Sequence, residues 1–207
     1  MTLALVPVLI AGLTPLLASP AGAVGAKYAD DFNGDGYRDL AIGTPYGAPN
    51  GVDRAGFVSV VYGSAAGLGP SEPAVISQNS AGIPGAAEAD DNFGRAFTSA
   101  DLDADGYADL VVGTPNEDVG TVRDQGATTI LWGSRTGLSG GAGVADHAAV
   151  IDGYFGDVLA AGDFTGDGYP DLAVAQRDYT LRLYKGPFTR TGAPQGRHHQ
   201  EAHHRRG

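Results

Sequence analysis

The chain has 207 residues, enough for one or two domains with a buried core. Glycine supplies 33 of them, and 13 Lys and Arg stand against 24 Asp and Glu, a formal net charge of −11. That balance argues against nucleic acid and anionic membrane as partners and favours hard cations. The lack of Cys excludes disulfides, thiolate metal sites and cysteine nucleophiles together.

From the N-terminus, residues 3–18 are apolar and uncharged, with Pro7 and Pro15 inside the run, and Ala21-Gly22-Ala23 follows as a small-x-small cleavage pattern. Residues 1–23 therefore read as a signal peptide, and the protein is expected to be secreted. The run is shorter than the ~20 apolar residues a spanning helix needs, so no membrane span is expected after cleavage.

Beyond it the chain repeats. Residues 31–40, 101–110 and 163–172 align without gaps, their starts 70 and 62 residues apart. Gly43-Thr44-Pro45 recurs as Gly113-Thr114-Pro115, Tyr62-Gly63-Ser64 as Trp132-Gly133-Ser134, and Gly67-Leu68 as Gly137-Leu138. Phe93-Gly94 and Phe155-Gly156 precede the second and third aligned segments at the same offset. These landmarks divide residues 24–188 into repeats of about 24–90, 91–152 and 153–188.

Short apolar or β-branched runs bounded by Gly, Pro and Asp predict strands over 40–42, 57–62, 97–100, 110–112, 128–132, 172–174 and 181–184, with 148–151 as the last strand of the second repeat. About four strands per repeat is the size of a propeller blade. The expected fold class is all-β, with about two full blades and a partial third. A closed ring takes about 4–8 blades, so the ring is expected to be incomplete, with open blade edges available for self-association.

Each aligned segment opens with an Asp-rich loop. Counting from the first Asp, positions 1, 3, 5 and 9 are Asp31, Asn33, Asp35 and Asp39; Asp101, Asp103, Asp105 and Asp109; and Asp163, Thr165, Asp167 and Asp171. Calcium takes six to eight hard oxygens from a flexible loop, with ligands at alternate positions. Position 6 is Gly in all three loops, where the backbone must turn sharply, and position 7 is Tyr37, Tyr107 or Tyr169, whose carbonyl is the expected ligand. An EF-hand would carry Glu at position 12, where this chain has Ile42, Val112 and Val174. Asp-Gly clusters are also ordinary turn formers. Three or four carboxylates within nine residues repel one another unless a cation neutralises them, however, and up to three structural calcium ions are the expected cofactors.

The Phe-Gly pairs, the Gly-Thr-Pro segments and the loops between them resemble the FG-GAP repeats of integrin α-subunit β-propellers and of many secreted bacterial proteins. That resemblance implies that each loop joins the first two strands of a blade, that the position 1, 3, 5 and 9 side chains are structural ligands, and that partners bind on the propeller's surface. In the first repeat Val24-Gly25 stands where Phe-Gly is expected, and the third has Ala175-Gln176-Arg177 where Gly-x-Pro is expected.

No His-Glu-x-x-His pair or phosphate-cradling loop occurs, and no catalytic residues are assigned. His147 reads as a lone surface histidine. The expected role is a binding or cell-adhesion module for an extracellular protein or glycan. The alternatives are a lectin-like propeller, with Trp132 or Tyr154 lining shallow sugar pockets, and an accessory fragment of a secreted esterase- or phospholipase-type hydrolase. Residues 189–207, with His198, His199, His203 and His204 beside Arg197, Arg205 and Arg206, read as a disordered basic tail whose His content also suits zinc or nickel.

Overall fold

In a computed structural model, residues 25–69, 72–145, 150–177, 180–194 and 199–203 are described. The expected signal peptide and His147 lie outside them. Among the described residues eleven strands form three antiparallel sheets in which each strand pairs with its sequence neighbour. The first sheet holds β1 (Leu40–Thr44), β2 (Phe57–Val61) and β3 (Ala74–Ile76). The second holds β4 (Ala96–Ala100), β5 (Asp109–Thr114), β6 (Ala127–Leu131) and β7 (Gly141–Val144). The third holds β8 (Val158–Gly162), β9 (Asp171–Ala175), β10 (Thr180–Tyr184) and β11 (His199–His203). The all-β, unclosed array of blades is the one the repeats predict, and among the described residues no helix is long and apolar enough to cross a membrane.

Alternation along the strands decides which side of each sheet meets its neighbour. The central sheet is covered on both sides, and every residue of β5 is buried. Leu110, Val112 and Leu131 pack towards the first sheet with Phe32, Val58, Val60 and Phe93. Val111, Ile130, Trp132 and Val144 point the other way and meet Phe155, Leu172, Val174, Tyr184 and Phe188. The end sheets each have one covered face. Leu40 and Ile42, which correspond in the repeat to Leu110 and Val112, are 40% and 47% exposed, and Val158 and Leu181 stand open at the far end.

The Phe-Gly pairs act between sheets. Phe93 and Phe155 are fully buried and donate their N–H to Ala55 O and Gln125 O, both at 2.8 Å, in the preceding repeat. Gly94 O lies so close to Gly43 that a Cβ there would come within 2.2 Å of it, and Gly156 O stands 2.1 Å from the corresponding point on Gly113. Gly is required at both positions because a neighbouring backbone passes through the space a side chain would fill. The glycines of the recurring Gly-Thr-Pro segments are thus seats for the next repeat.

Three expectations are corrected. The last strand of the second sheet is Gly141–Val144, not 148–151; residues 148 and 149 are outside the described set, Val150 has no regular structure and Ile151 starts a turn. A Gly-Ala-Gly-Val run has little β-propensity of its own, and the waiting edge of β6 supplies the pairing. Beyond residue 188 the chain is not wholly a tail, because β11 pairs along β10 from Thr180↔His203 to Tyr184↔His199. Its polar sequence suits a sheet edge rather than a core, which is why hydrophobic patterning misses it. The first repeat shows three strands among the described residues, its loop being preceded at 25–30 by non-strand chain.

Candidate metal centre

The second loop joins β4 to β5 and the third joins β8 to β9, while the first runs directly into β1. All three are wound by the same hydrogen bonds. The position 1 carboxylate accepts the N–H groups of positions 5 and 6: Asp31 from Asp35 (3.1 Å) and Gly36 (2.9 Å), Asp101 from Asp105 (3.0 Å) and Gly106 (2.9 Å), Asp163 from Asp167 (3.1 Å) and Gly168 (2.9 Å). The position 5 carboxylates of Asp35, Asp105 and Asp167 accept the N–H of Tyr37, Tyr107 and Tyr169. These bonds curl the backbone around its own side chains, and the left-handed glycines Gly36, Gly106 and Gly168 permit the curl.

The position 9 carboxylates do something different. Asp39, Asp109 and Asp171 are buried, and each accepts one N–H from position 2 of its loop, namely Phe32, Leu102 and Phe164. Each also accepts one from a distant glycine: Gly63 at 2.8 Å, Gly133 at 2.8 Å and Gly186 at 3.0 Å. They therefore clamp each loop to the chain just past β2, β6 or β10. A carboxylate oxygen retains a second lone pair after one such bond, so clamping and ligation are compatible.

The second loop is the most concentrated. Among the described residues Asp101, Asp103 and Asp109 bring carboxylate oxygens within 4.8 Å of one another. The Asp103 side chain is 8% exposed, and its Oδ1 is buried without a hydrogen-bond partner. Burial raises the pKa of Asp101 and of Asp103, and pushes Asp109 up to about 8, with the neighbouring Asp103 and Asp101 charges adding to the rise. A cation placed here would relieve both the desolvation and the mutual repulsion. In the first and third loops Asn33 and Thr165 replace the position 3 carboxylate, although Asp39 is also raised by burial.

Sequence reading missed several parts of these loops. Position 4 is left-handed in each, with φ of 69°, 60° and 72° at Gly34, Ala104 and Gly166. Two cations also enter the cages. Lys185 Nζ lies 2.9 Å from Asp167, lowering that carboxyl's pKa, and Arg190 Nε lies 2.8 Å from Asp103 while its NH2 contacts Asp105. No motif marks either residue. The aromatic pair considered for sugar binding does not form open platforms: Trp132 is 4% exposed, and Arg177 stacks 3.7 Å from the Tyr154 ring centroid.

The family described as FG-GAP repeat matches at residues 28–61, 93–131 and 155–200. Phosphatidylinositol-glycan-specific phospholipase D of Bos taurus is 32% identical over 150 residues, covering 72% of this chain and 18% of that protein. Integrin alpha-PS2 of Drosophila melanogaster is 33% identical over 153 residues, covering 70% of this chain and 10% of its own length. Integrin alpha-V of Gallus gallus is 38% identical over 84 residues, which is 40% of this chain and 7% of that protein. The chain thus spans less than a fifth of each of these relatives.

Proposed function

Since the chain belongs to the FG-GAP repeat family, we propose that it is a secreted, calcium-stabilised, integrin-like module that works by binding an extracellular protein or glycan rather than by catalysis. The observation that carries the calcium reading is the convergence of Asp101, Asp103 and Asp109, with an unpartnered buried oxygen on Asp103. In the second loop Asp101, Asp103, Asp105, Asp109 and the Tyr107 carbonyl would hold the ion. The corresponding ligands are Asp31, Asn33, Asp35, Asp39 and Tyr37 in the first loop, and Asp163, Thr165, Asp167, Asp171 and Tyr169 in the third. Calcium supplies two positive charges to a site where several carboxylates already face each other. Secretion fits extracellular calcium and the apolar leader of residues 3–18.

The accessory-to-hydrolase reading stays alongside it, favoured by the 150-residue match to the phospholipase. In that case the same repeats would serve a catalytic domain on another polypeptide segment. Adhesion and accessory roles separate on binding: immobilised extracellular proteins and glycans should retain the isolated repeats in the first case and not in the second. The calcium reading is tested by melting the purified protein with EDTA and with millimolar calcium. A site filled to 100 times its dissociation constant adds about 2.7 kcal/mol. Identical melts in the two buffers would refute it.

A further inference from the structure

Arg190 lies in the turn that follows the third sheet's inner strands. Phe188 anchors this turn, fully buried and donating its N–H to Leu102 O of the second loop at 2.7 Å, and bonds of 2.8 Å from Thr189 N to Ala193 O and from Gly192 N to Thr189 O close it. From there the guanidinium reaches back a whole repeat. It pairs with Asp103 and Asp105, donates to Gly133 O at 3.3 Å, and stands 5.5 Å from the ring centroid of Trp132. Resting on the calcium reading above, we propose that Arg190 is a tethered counter-cation of the second loop, which calcium must displace to complete its coordination.

The oxygen inventory makes the competition. Asp105 Oδ1 accepts Tyr107 N–H, and its Oδ2 faces Arg190. Asp103 Oδ2 also faces Arg190, leaving Oδ1 as its unpartnered oxygen. With the guanidinium docked, the side chains open to an ion are those of Asp101, Asp103 and Asp109; with it withdrawn, Asp105 Oδ2 and Asp103 Oδ2 join them. Calcium requires six to eight oxygens, so the undocked arrangement suits it better. Two cations crowded on the same carboxylates also repel.

The third loop carries the same device in weaker form, with Lys185 on Asp167, also at position 5. The first loop differs. There Asp35 Oδ2 accepts from Asn33 Nδ2 at 3.2 Å, and Arg38 pairs with Asp30 outside the ligand positions. The loops are therefore graded: the first takes up calcium by turning the neutral Asn33 amide off Asp35, with no cation to evict, while the second and third exchange one cation for another. Calcium level then sets whether the Arg190 turn is electrostatically held to the second blade.

Terbium, a luminescent stand-in for calcium, tests this in the full chain. Trp132 is the sole tryptophan and adjoins the second loop, so tryptophan-sensitised emission reports that site. Arg190→Gln is expected to tighten terbium binding at the sensitised site by roughly tenfold, whereas Arg190→Lys, which keeps the charge but not the fork, should fall between it and the parent. Calcium should displace terbium with the same rank order. Equal or weaker binding in Arg190→Gln, with the parent still binding, overturns the tethered cation and leaves the calcium cages standing. No sensitised emission in any of the three proteins, together with melts indifferent to calcium, overturns both readings.

Discussion

Asp109 and Gly133 are 24 residues apart, yet the glycine N–H donates to the aspartate Oδ1 at 2.8 Å, and the second carboxylate oxygen accepts from Leu102. The bond recurs as Gly63 to Asp39 and Gly186 to Asp171. The last acid of each loop is thus a structural tie before it is a ligand. Asp109→Ala would strand two buried N–H groups and is expected to cost about 2–4 kcal/mol even in EDTA. Asp105→Ala should leave the EDTA melt nearly unchanged and remove only one site's share of the calcium-dependent rise. Chemical denaturation of both variants with and without calcium distinguishes the roles; equal behaviour of the two in EDTA would contradict the division of labour.

The seat between sheets is the second point of test. Gly113→Ala places a methyl 2.1 Å from Gly156 O, and because that atom belongs to backbone it has little freedom to give way. Destabilisation of about 3 kcal/mol or more is expected. Gly143→Ala, in a strand of the same sheet and with no atom within 4 Å of the added carbon, should change stability by less than about 0.5 kcal/mol. Urea midpoints of the pair give the comparison directly.

Ala104 carries a Cβ in a left-handed conformation that its counterparts Gly34 and Gly166 adopt without one. Ala→Gly usually destabilises, but here relief of strain exceeds the added chain entropy. Ala104→Gly is expected to raise stability by about 0.5 kcal/mol, seen as a higher urea midpoint at unchanged slope. A lower midpoint would mean that this turn is unstrained.

Asp91 supplies the pH test. It is 3% exposed, burial pushes its pKa up to about 7, and Glu117, Glu88 and Asp118 add to the rise while the Glu88 N–H opposes it. The folded protein therefore keeps a proton that the unfolded chain has released. This group's contribution is full at about pH 4, declines as pH rises to about 7, and is level above that. Asp91→Asn, which retains an acceptor for Glu88 N–H and removes the charge, should match the parent at pH 4 and melt higher at pH 8. Melts in EDTA across that range measure the difference; parallel curves would show that Asp91 is ionised throughout.

The loops were legible because their spacing is chemical: four oxygen donors at alternate positions and a glycine where the chain turns leave few other readings. The Phe-Gly and Gly-Thr-Pro landmarks also appeared in sequence, but their purpose did not. Only in space does Gly94 O meet Gly43, and Gly156 O meet Gly113. The fourth strands were the weakest part of the reading. Gly141–Val144 and His199–His203 have no strand pattern of their own and are recruited by edges already formed. Arg190 was invisible for a related reason: its acidic partners belong to another repeat, and an isolated Arg carries no periodic signal.

Because Phe93 and Phe155 occupy equivalent sockets in the repeats before them, the plug of one unit fits the receptacle of another. Excising 93–154 would bring Phe155-Gly156 to the site that Phe93-Gly94 had filled, at Gly43 and Ala55, with like backbone donors meeting like acceptors. Such an array can lengthen or shorten by whole units without inventing a new joint. Its ancestry can therefore run through duplication and loss of segments, each junction ready-made before the event that creates it.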